Sequence, residues 1–205
     1  MIRAINPDII ALQEVDSRSG QINDLDIFAY LESAVGGHSI NAKTLSTDVG
    51  HYGQMLISRW PLRDCRIHDI SVGKHEPRRI MEARVDLPGG SVRIIATHFG
   101  LNKAERRVQF RALADISKTH GDMPQVLMGD LNEWRRRGHG HDMLSPLFDI
   151  CTSHRTYPAM LPSLALDRIW CRPGSMLVRS WTERAARHAS DHLPLAADLS
   201  LRKID

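Results

Sequence analysis

The sequence predicts an α/β protein in which mixed β-sheets are covered by helices. Three observations carry this expectation. The apolar runs are short and separated by Gly, Pro, Asn and Asp, as in a strand-rich chain. Two of them, Ile80 to Leu87 and Val92 to His98, flank Pro88-Gly89-Gly90, which signals a hairpin. Only two or three stretches carry helical spacing, so hairpins combine with crossovers and the helices lie on the sheets.

The elements follow in order. Asp8 to Glu14 (DIIALQE) reads as a buried strand that ends in a carboxylate. From about Asp24 to Val35 the apolar positions recur at helical spacing, and Gly36-Gly37 stops them. Gln54 to Ser58 is a strand closed by Trp60-Pro61. Over residues 103 to 119 the spacing puts Ala104, Val108, Ala112 and Ile116 on one helical face, with Arg106, Arg107 and Arg111 elsewhere. Gln125 to Met128 is a strand running into Gly129-Asp130. Leu166 to Cys171, Met176 to Trp181 and Leu195 to Leu199 are further strands. No internal repeat or low-complexity linker interrupts them.

Composition narrows the function classes. The 205 residues suit a single domain spanning 1–205, long enough to bury one core without staples. At 42% hydrophobic and 25% charged, the chain is neither disordered, collagenous nor a coiled coil. A net charge of +3 is too mild to mark a dedicated nucleic-acid binder, and the 5% of aromatics forms no basic-aromatic stretch for stacking on single strands. Cys65, Cys151 and Cys171 build neither a disulfide framework nor a CxxC zinc pattern, which predicts reduced thiols in a cytoplasmic protein. No apolar run approaches the roughly 18 residues of a membrane span, and MIRAINPDIIALQEVD lacks a signal-peptide layout.

Polar residues recur at the ends of apolar strands, where catalytic groups are held by a rigid scaffold. Asp130 and Asn132 end QVLMGDLN; two apart in extended backbone, they face the same way. A carboxylate there can take a proton from water, and a carboxamide can donate to a phosphoryl oxygen. The same residues also make ordinary turns. Asp191-His192 could bind a metal or orient an imidazole, with a distant acid such as Asp167 free for the second job; a loop pair before a strand is the plainer reading. Glu14 follows an apolar run, where a charge needs a partner or a cation, and oxygen ligands favour Mg2+ or Mn2+. His98 caps the face of Val92, Ile94 and Ala96, either as a structural or a catalytic side chain.

In this order, QEVD, THFGL, GDLN, LDRIW and SDHLPL closely resemble the endonuclease/exonuclease/phosphatase, or DNase I-like, superfamily, from Pro7 to Leu199. SRWPL and ERRVQ resemble its small bacterial hydrolases. The resemblance implies a four-layer α/β/β/α sandwich: two mixed β-sheets face to face, with helices outside. It implies phosphate-ester hydrolysis with Mg2+ or Mn2+. Glu14 resembles the metal-binding glutamate and Asp191 a second acid at the metal. Asp130 resembles the aspartate that orients or deprotonates water, and Asn132 the phosphate-contacting asparagine. His192 resembles the histidine that stabilises developing charge, Asp167 the acid that orients it, and His98 a further phosphate contact. Substrates of this class include nucleic acid, lipid headgroups and small phosphate esters. Members usually begin with a further strand, loop and helix, so roughly 30 to 40 residues have no counterpart here, judged from ordinary element lengths. That predicts an unpaired sheet edge, open to self-association, and makes an inactive or non-catalytic phosphate-binding form the alternative. Gln54 stands where the family pattern has asparagine.

After GDLNEW comes Arg135-Arg136-Arg137-Gly138-His139-Gly140-His141. It reads as a solvated basic loop or one that draws anions to the site. His139 and His141 alone lack the further ligands that zinc needs.

Overall fold

A computed structural model describes residues 2–18, 26–48, 50–119, 121–135 and 137–201. In chain order the elements are α1 (Ile2–Ile5), β1 (Ile9–Asp16), α2 (Ile27–Val35), β2 (His38–Thr47), β3 (Gly50–Ser58), β4 (Leu62–Asp69), β5 (Arg79–Leu87), β6 (Gly90–His98), α3 (Lys103–Lys118), β7 (Gln125–Asp130), α4 (His139–Leu144), β8 (Ile150–Cys151), β9 (Asp167–Arg172), β10 (Leu177–Thr182) and β11 (Leu195–Leu199).

The hairpin anticipated at Pro88-Gly89-Gly90 is β5–β6, and it seeds a six-stranded sheet ordered β4-β5-β6-β7-β9-β8. The sheet is mixed because α3 carries the chain across, so that β7 pairs parallel to β6, while the other neighbours are antiparallel. Facing it is a second β-layer in two antiparallel pieces, β1-β3-β2 and β10-β11. The inner core joins all three sheets: Leu56, Met81, Ile94, Val126 and Ile169 are buried there, with Ile9, Ala11, Leu195 and Ala197 packed against them. Outside the three-stranded piece, Phe28 and Val35 of α2 cover Val15, Met55 and Ile57. Outside the six-stranded sheet, Phe110 and Leu113 of α3 and Leu144 of α4 cover Ile95, Leu127 and Trp170. The layers are therefore α/β/β/α, as expected. The second layer is a correction: it is not one mixed sheet, and β1 and β11 each end a piece with apolar residues only half buried.

Local chemistry explains most boundaries. Asp26 caps α2 by accepting from the backbone of Phe28 and Ala29, and Gly36 closes it in the left-handed region at φ 74°. The expected start at Asp24 lies outside the described residues. Asn102 caps α3 in the same way as Asp26 caps α2.

The expected face of α3 is half right: Ala112 and Ile116 pack against the core, but the N-terminal half is misplaced. Val108 is 49% exposed and Ala104 is exposed, whereas Glu105, Arg106, Gln109, Phe110, Leu113 and Ala114 are buried. The polar members are inside because a loop needs them. Gln109 accepts from Gly100 N at 2.9 Å, Arg106 donates to the carbonyls of Gly100 and Leu101, and Glu105 accepts from Gln109 at 3.0 Å. Buried backbone groups require such partners, and this helix supplies them to the chain just beyond His98. The basic segment is also partly revised: Gly138 starts α4, so His139 and His141 are helical, and the His141 ring lies 5.5 Å from that of Trp170. Arg136 lies outside the described residues.

Candidate active site

Strand register builds the site. His98 pairs with Asp130 across β6–β7, and Asp130 pairs with Asp167 across β7–β9. Three chemically active side chains thus stand in one row at the same end of three adjacent strands. Gly129 makes this possible: at φ 145°, a Cβ there would collide with the backbone carbonyl of Thr97. Gly129→Ala is therefore expected to destabilise the fold by about 1–3 kcal/mol, the range for strained backbone positions, and to displace Asp130. Thermal unfolding with a parallel activity assay checks both effects.

Asp130 and Asn132 do come together, but through a turn rather than strand alternation. Asp130 Oδ1 accepts from the backbone N–H of Asn132 at 2.8 Å, and Asn132 sits in the left-handed region at φ 51°. Asn tolerates that conformation better than most residues. Its Nδ2 donates to the carbonyl of Phe99 at 2.8 Å, which fixes the carboxamide. Turn and site are thus one structure.

Glu14 is re-aimed by a bulge. Leu12 pairs with Met55 and Val15 with Gly53, so Gln13 and Glu14 together oppose Gln54. Glu14 takes φ 55°. Its carboxylate is 61% exposed, yet Oε1 lies 3.9 Å from His98 Nε2. Contrary to expectation it is not the strand's last residue, which is Asp16, and its carboxylate is open to solvent.

His192 arrives on the loop before β11. Leu193 N donates to Thr156 O at 2.8 Å and Ala159 N to Asp191 O at 2.6 Å, tying this loop to residues 156–159. His192 Nδ1 meets Asp167 Oδ2 at 2.7 Å, its Nε2 lies 4.0 Å from Asp130 Oδ2, and its ring is 4.9 Å from that of Tyr157. A carboxylate only accepts, so Nδ1 carries a proton. Burial alone would lower the pKa of His192. The hydrogen bond to Asp167 and the charges of Asp167, Asp130 and Asp191 outweigh it and raise the value to about 9. Asp191 itself is exposed; its side chain meets Ser190 Oγ at 3.5 Å.

His98 is poised the opposite way. Its Nδ1 lies 3.1 Å from the Arg78 guanidinium, which only donates, so Nδ1 is an acceptor and the proton sits on Nε2. His98 Nε2 lies 3.6 Å from Asp130 Oδ2, beyond hydrogen-bond distance. Burial, then the charges of Arg78 and His192, drives the His98 pKa down to about 3, so the ring is neutral. Asp130 is pushed up to about 6, first by burial and then by the charge of Asp167; the Asn132 N–H and His192 oppose this, and Glu14 adds to it. The site thus pairs one cationic imidazole, one neutral imidazole donor and a carboxylate basic enough to take a proton near neutral pH.

Arg78 and its partner Glu76, 3.0 Å away, went unnoticed in the sequence. The signal was there: the β5–β6 hairpin places the residues before Ile80 opposite His98. Tyr52 also borders the site, its phenol pKa raised by burial and by the charges of Glu14 and Glu76.

The donors that could hold a cation are carboxylate oxygens. Glu14 and Asp130 both lie within 4 Å of one imidazole nitrogen, Asp167 adds a third negative charge nearby, and burial without a cation makes Asp130 hard to ionise. Among the described residues no group of three or more such side chains is gathered closely enough to hold a metal ion, and carboxylate oxygens as donors suit Mg2+ or Mn2+ better than zinc.

Comparison with known proteins agrees with this arrangement. The sequence pattern of the endonuclease/exonuclease/phosphatase family matches residues 1–192. An uncharacterised protein, YbhP of Escherichia coli K12, is 28% identical, the match covering 98% of this chain and 86% of that one. Among solved structures, an endonuclease/exonuclease/phosphatase from Bacteroides vulgatus superposes with a TM-score of 0.76 at 18% identity, covering 98% of this chain and 87% of that one. A mannosyl-6-phosphatase from Bacteroides thetaiotaomicron gives 0.71 at 15% identity over 98% and 88%. TDP2 of D. rerio in complex with a single-strand DNA product gives 0.64 at 16% identity over 96% and 87%. With the pattern match spanning nearly the whole chain and the motifs assembled at one sheet end, this chain belongs to the endonuclease/exonuclease/phosphatase family.

Proposed function

We propose that the protein is an Mg2+- or Mn2+-dependent phosphoester hydrolase, acting on a phosphodiester. The observation that carries this is the His192–Asp167 contact of 2.7 Å set beside Asp130, with the second imidazole, His98, on the other side of the same carboxylate. Asp130 accepts the proton of the attacking water. His192, held as a cation by Asp167, donates from Nε2 to a non-bridging phosphoryl oxygen, where charge develops. His98 donates from its neutral Nε2–H, and Asn132 holds a further oxygen. Glu14 would hold the cation, with Asp191 as the second acid at the metal. The cation would neutralise phosphoryl oxygens and aid departure of the leaving oxygen.

The solved neighbours include a sugar phosphatase and a protein holding a DNA product, so the candidate substrates are nucleic acid, lipid headgroups and small phosphate esters. No helix among the described residues is long and apolar enough to cross a membrane. The three free cysteines suit a cytoplasmic location, and the unpaired edge of β1 offers a second copy of the chain a place to pair.

The test is turnover of bis(4-nitrophenyl) phosphate and 4-nitrophenyl phosphate with Mg2+, Mn2+ or EDTA. Metal-dependent release of nitrophenol, faster from the diester and abolished by EDTA, is expected. A folded protein with no turnover in either metal overturns the catalytic reading in favour of a phosphate-binding role.

A further inference from the structure

The outer nitrogens of the two site histidines meet opposite partners. Nδ1 of His192 faces the carboxylate of Asp167 at 2.7 Å, whereas Nδ1 of His98 faces the guanidinium of Arg78 at 3.1 Å. The second contact is built by residues outside the catalytic row. Arg78 is only 5% exposed. Glu76 clamps it through both oxygens, with Nη1 donating to Oε1 at 3.0 Å and Nη2 to Oε2 at 3.3 Å. Nη1 carries two hydrogens, so one serves Glu76 and the other serves His98.

The backbone is held as firmly. Arg78 N donates to Ser71 Oγ at 3.1 Å, and Ile70 N donates to Arg78 O at 3.0 Å. Gln109 of α3 donates to Ile70 O at 3.4 Å and accepts from Gly100 N at 2.9 Å. One buried side chain therefore ties the loop that carries Arg78 to the chain just beyond His98. Burial has a cost, because the Arg78 Nε–H is left without a hydrogen-bond partner. Pairing with Glu76 alone does not require that cost, since such pairs form readily in water. Contact with the imidazole does.

We propose that Arg78 is a positioning residue that selects the tautomer of His98 with its proton on Nε2. It thereby makes this histidine a donor to the phosphoryl group, not a second base beside Asp130. The inference rests on the hydrolase reading of the site. A guanidinium only donates, so the other tautomer would set Nδ1–H against an N–H of Arg78. That tautomer would also turn the lone pair of Nε2 towards an anionic substrate. Arg78 acts through His98 and touches no reacting atom.

The test reads imidazole nitrogen resonances of 15N-labelled protein at neutral pH in EDTA, without substrate. The His98 signals, assigned by their loss in His98→Ala, should show a bare Nδ1 and a protonated Nε2. In Arg78→Met, which keeps bulk but no donor, the ratio of the two tautomers should shift towards Nδ1–H by about tenfold or more, the loss of one hydrogen bond's preference. Arg78→Lys, still a cationic donor, should restore the parent pattern. Glu76→Gln, at a half-exposed position, should give a smaller shift in the same direction, and it serves if Arg78→Met fails to fold. In turnover, Arg78→Met should lower kcat about tenfold or more with KM little changed, and should cost nothing further when combined with His98→Ala. The proposal is overturned by a parent protein with its proton on Nδ1, or by a tautomer unmoved in the folded variants. A double variant slower than His98→Ala with a raised KM also overturns it, because Arg78 then contacts substrate itself. The tautomer is read without metal or turnover, so its failure is distinct from failure of the hydrolase reading.

Discussion

Asp130→Asn is expected to lower kcat by about a thousandfold, within the range for removing a general base, while making the folded protein more stable. The two effects share one cause. Asp130 is 6% exposed, and its pKa is raised to about 6 by burial and by its acidic neighbours. A carboxyl whose folded pKa lies above its unfolded value of 3.8 favours folding in its protonated form; that contribution is full below pH 3.8 and lost as pH rises through about 6. At pH 7 the ionised side chain therefore burdens the fold. Asparagine removes the charge, and its Oδ1 can still accept from the Asn132 N–H. In EDTA, a gain of roughly 1–3 kcal/mol is expected from about two pKa units at 1.36 kcal/mol each. Chemical denaturation beside steady-state kinetics checks the pair. A variant that keeps its turnover refutes Asp130 as the base. One that loses turnover and stability together shows instead a structural role for the charge.

Such a trade of stability for reactivity explains which parts of the molecule could be read from sequence. The central strands were legible because they are apolar: β6, β7 and β9 are buried on both faces. The polar residues at their ends stood out for the same reason, and the register then put His98, Asp130 and Asp167 in one row. What escaped notice was polar matter that folding makes necessary. β4 (LRDCRIHD) has no apolar alternation because it is an exposed edge strand, where charge discourages unwanted pairing. β2 is the corresponding edge of the three-stranded piece. On α3, apolar periodicity misplaced the first half of the face, Ala104 and Val108, because Glu105, Arg106 and Gln109 are buried to satisfy the loop after His98. The bulge at Glu14 leaves no mark in composition; it exists only in the unequal pairing of β1 with β3. Arg78 was hidden in a polar stretch whose meaning depends on the strand it faces.

Asp167→Asn is expected to convert the catalytic imidazole from a cation into a neutral group at physiological pH. In the folded protein His192 titrates near 9, against an ordinary value of 6.5, because its contact with Asp167 outweighs the cost of burial. Asparagine keeps the shape and can still accept from Nδ1–H, but it carries no charge. Burial then dominates, and the alkaline limb of the kcat profile should move from about 9 to near or below 6.5. At pH 7.5 this predicts a loss of roughly ten- to a hundredfold, one decade for each pH unit beyond the new pKa plus the weaker orientation of the ring. Only part of it should return near pH 6, because His192 regains its proton there while Asp130, raised to about 6, begins to lose its basicity. Stability has a matching sign: a histidine with a raised folded pKa contributes fully below pH 6.5 and loses that contribution as pH rises through about 9. The parent protein should thus lose stability across that window, and the variant should not. His192→Ala separates charge from geometry, because it removes the donor at every pH and should show no recovery in acid. An Asp167→Asn profile that falls uniformly, with its alkaline limb still near 9, would mean that Asp167 positions the loop and leaves the charge of His192 to other groups.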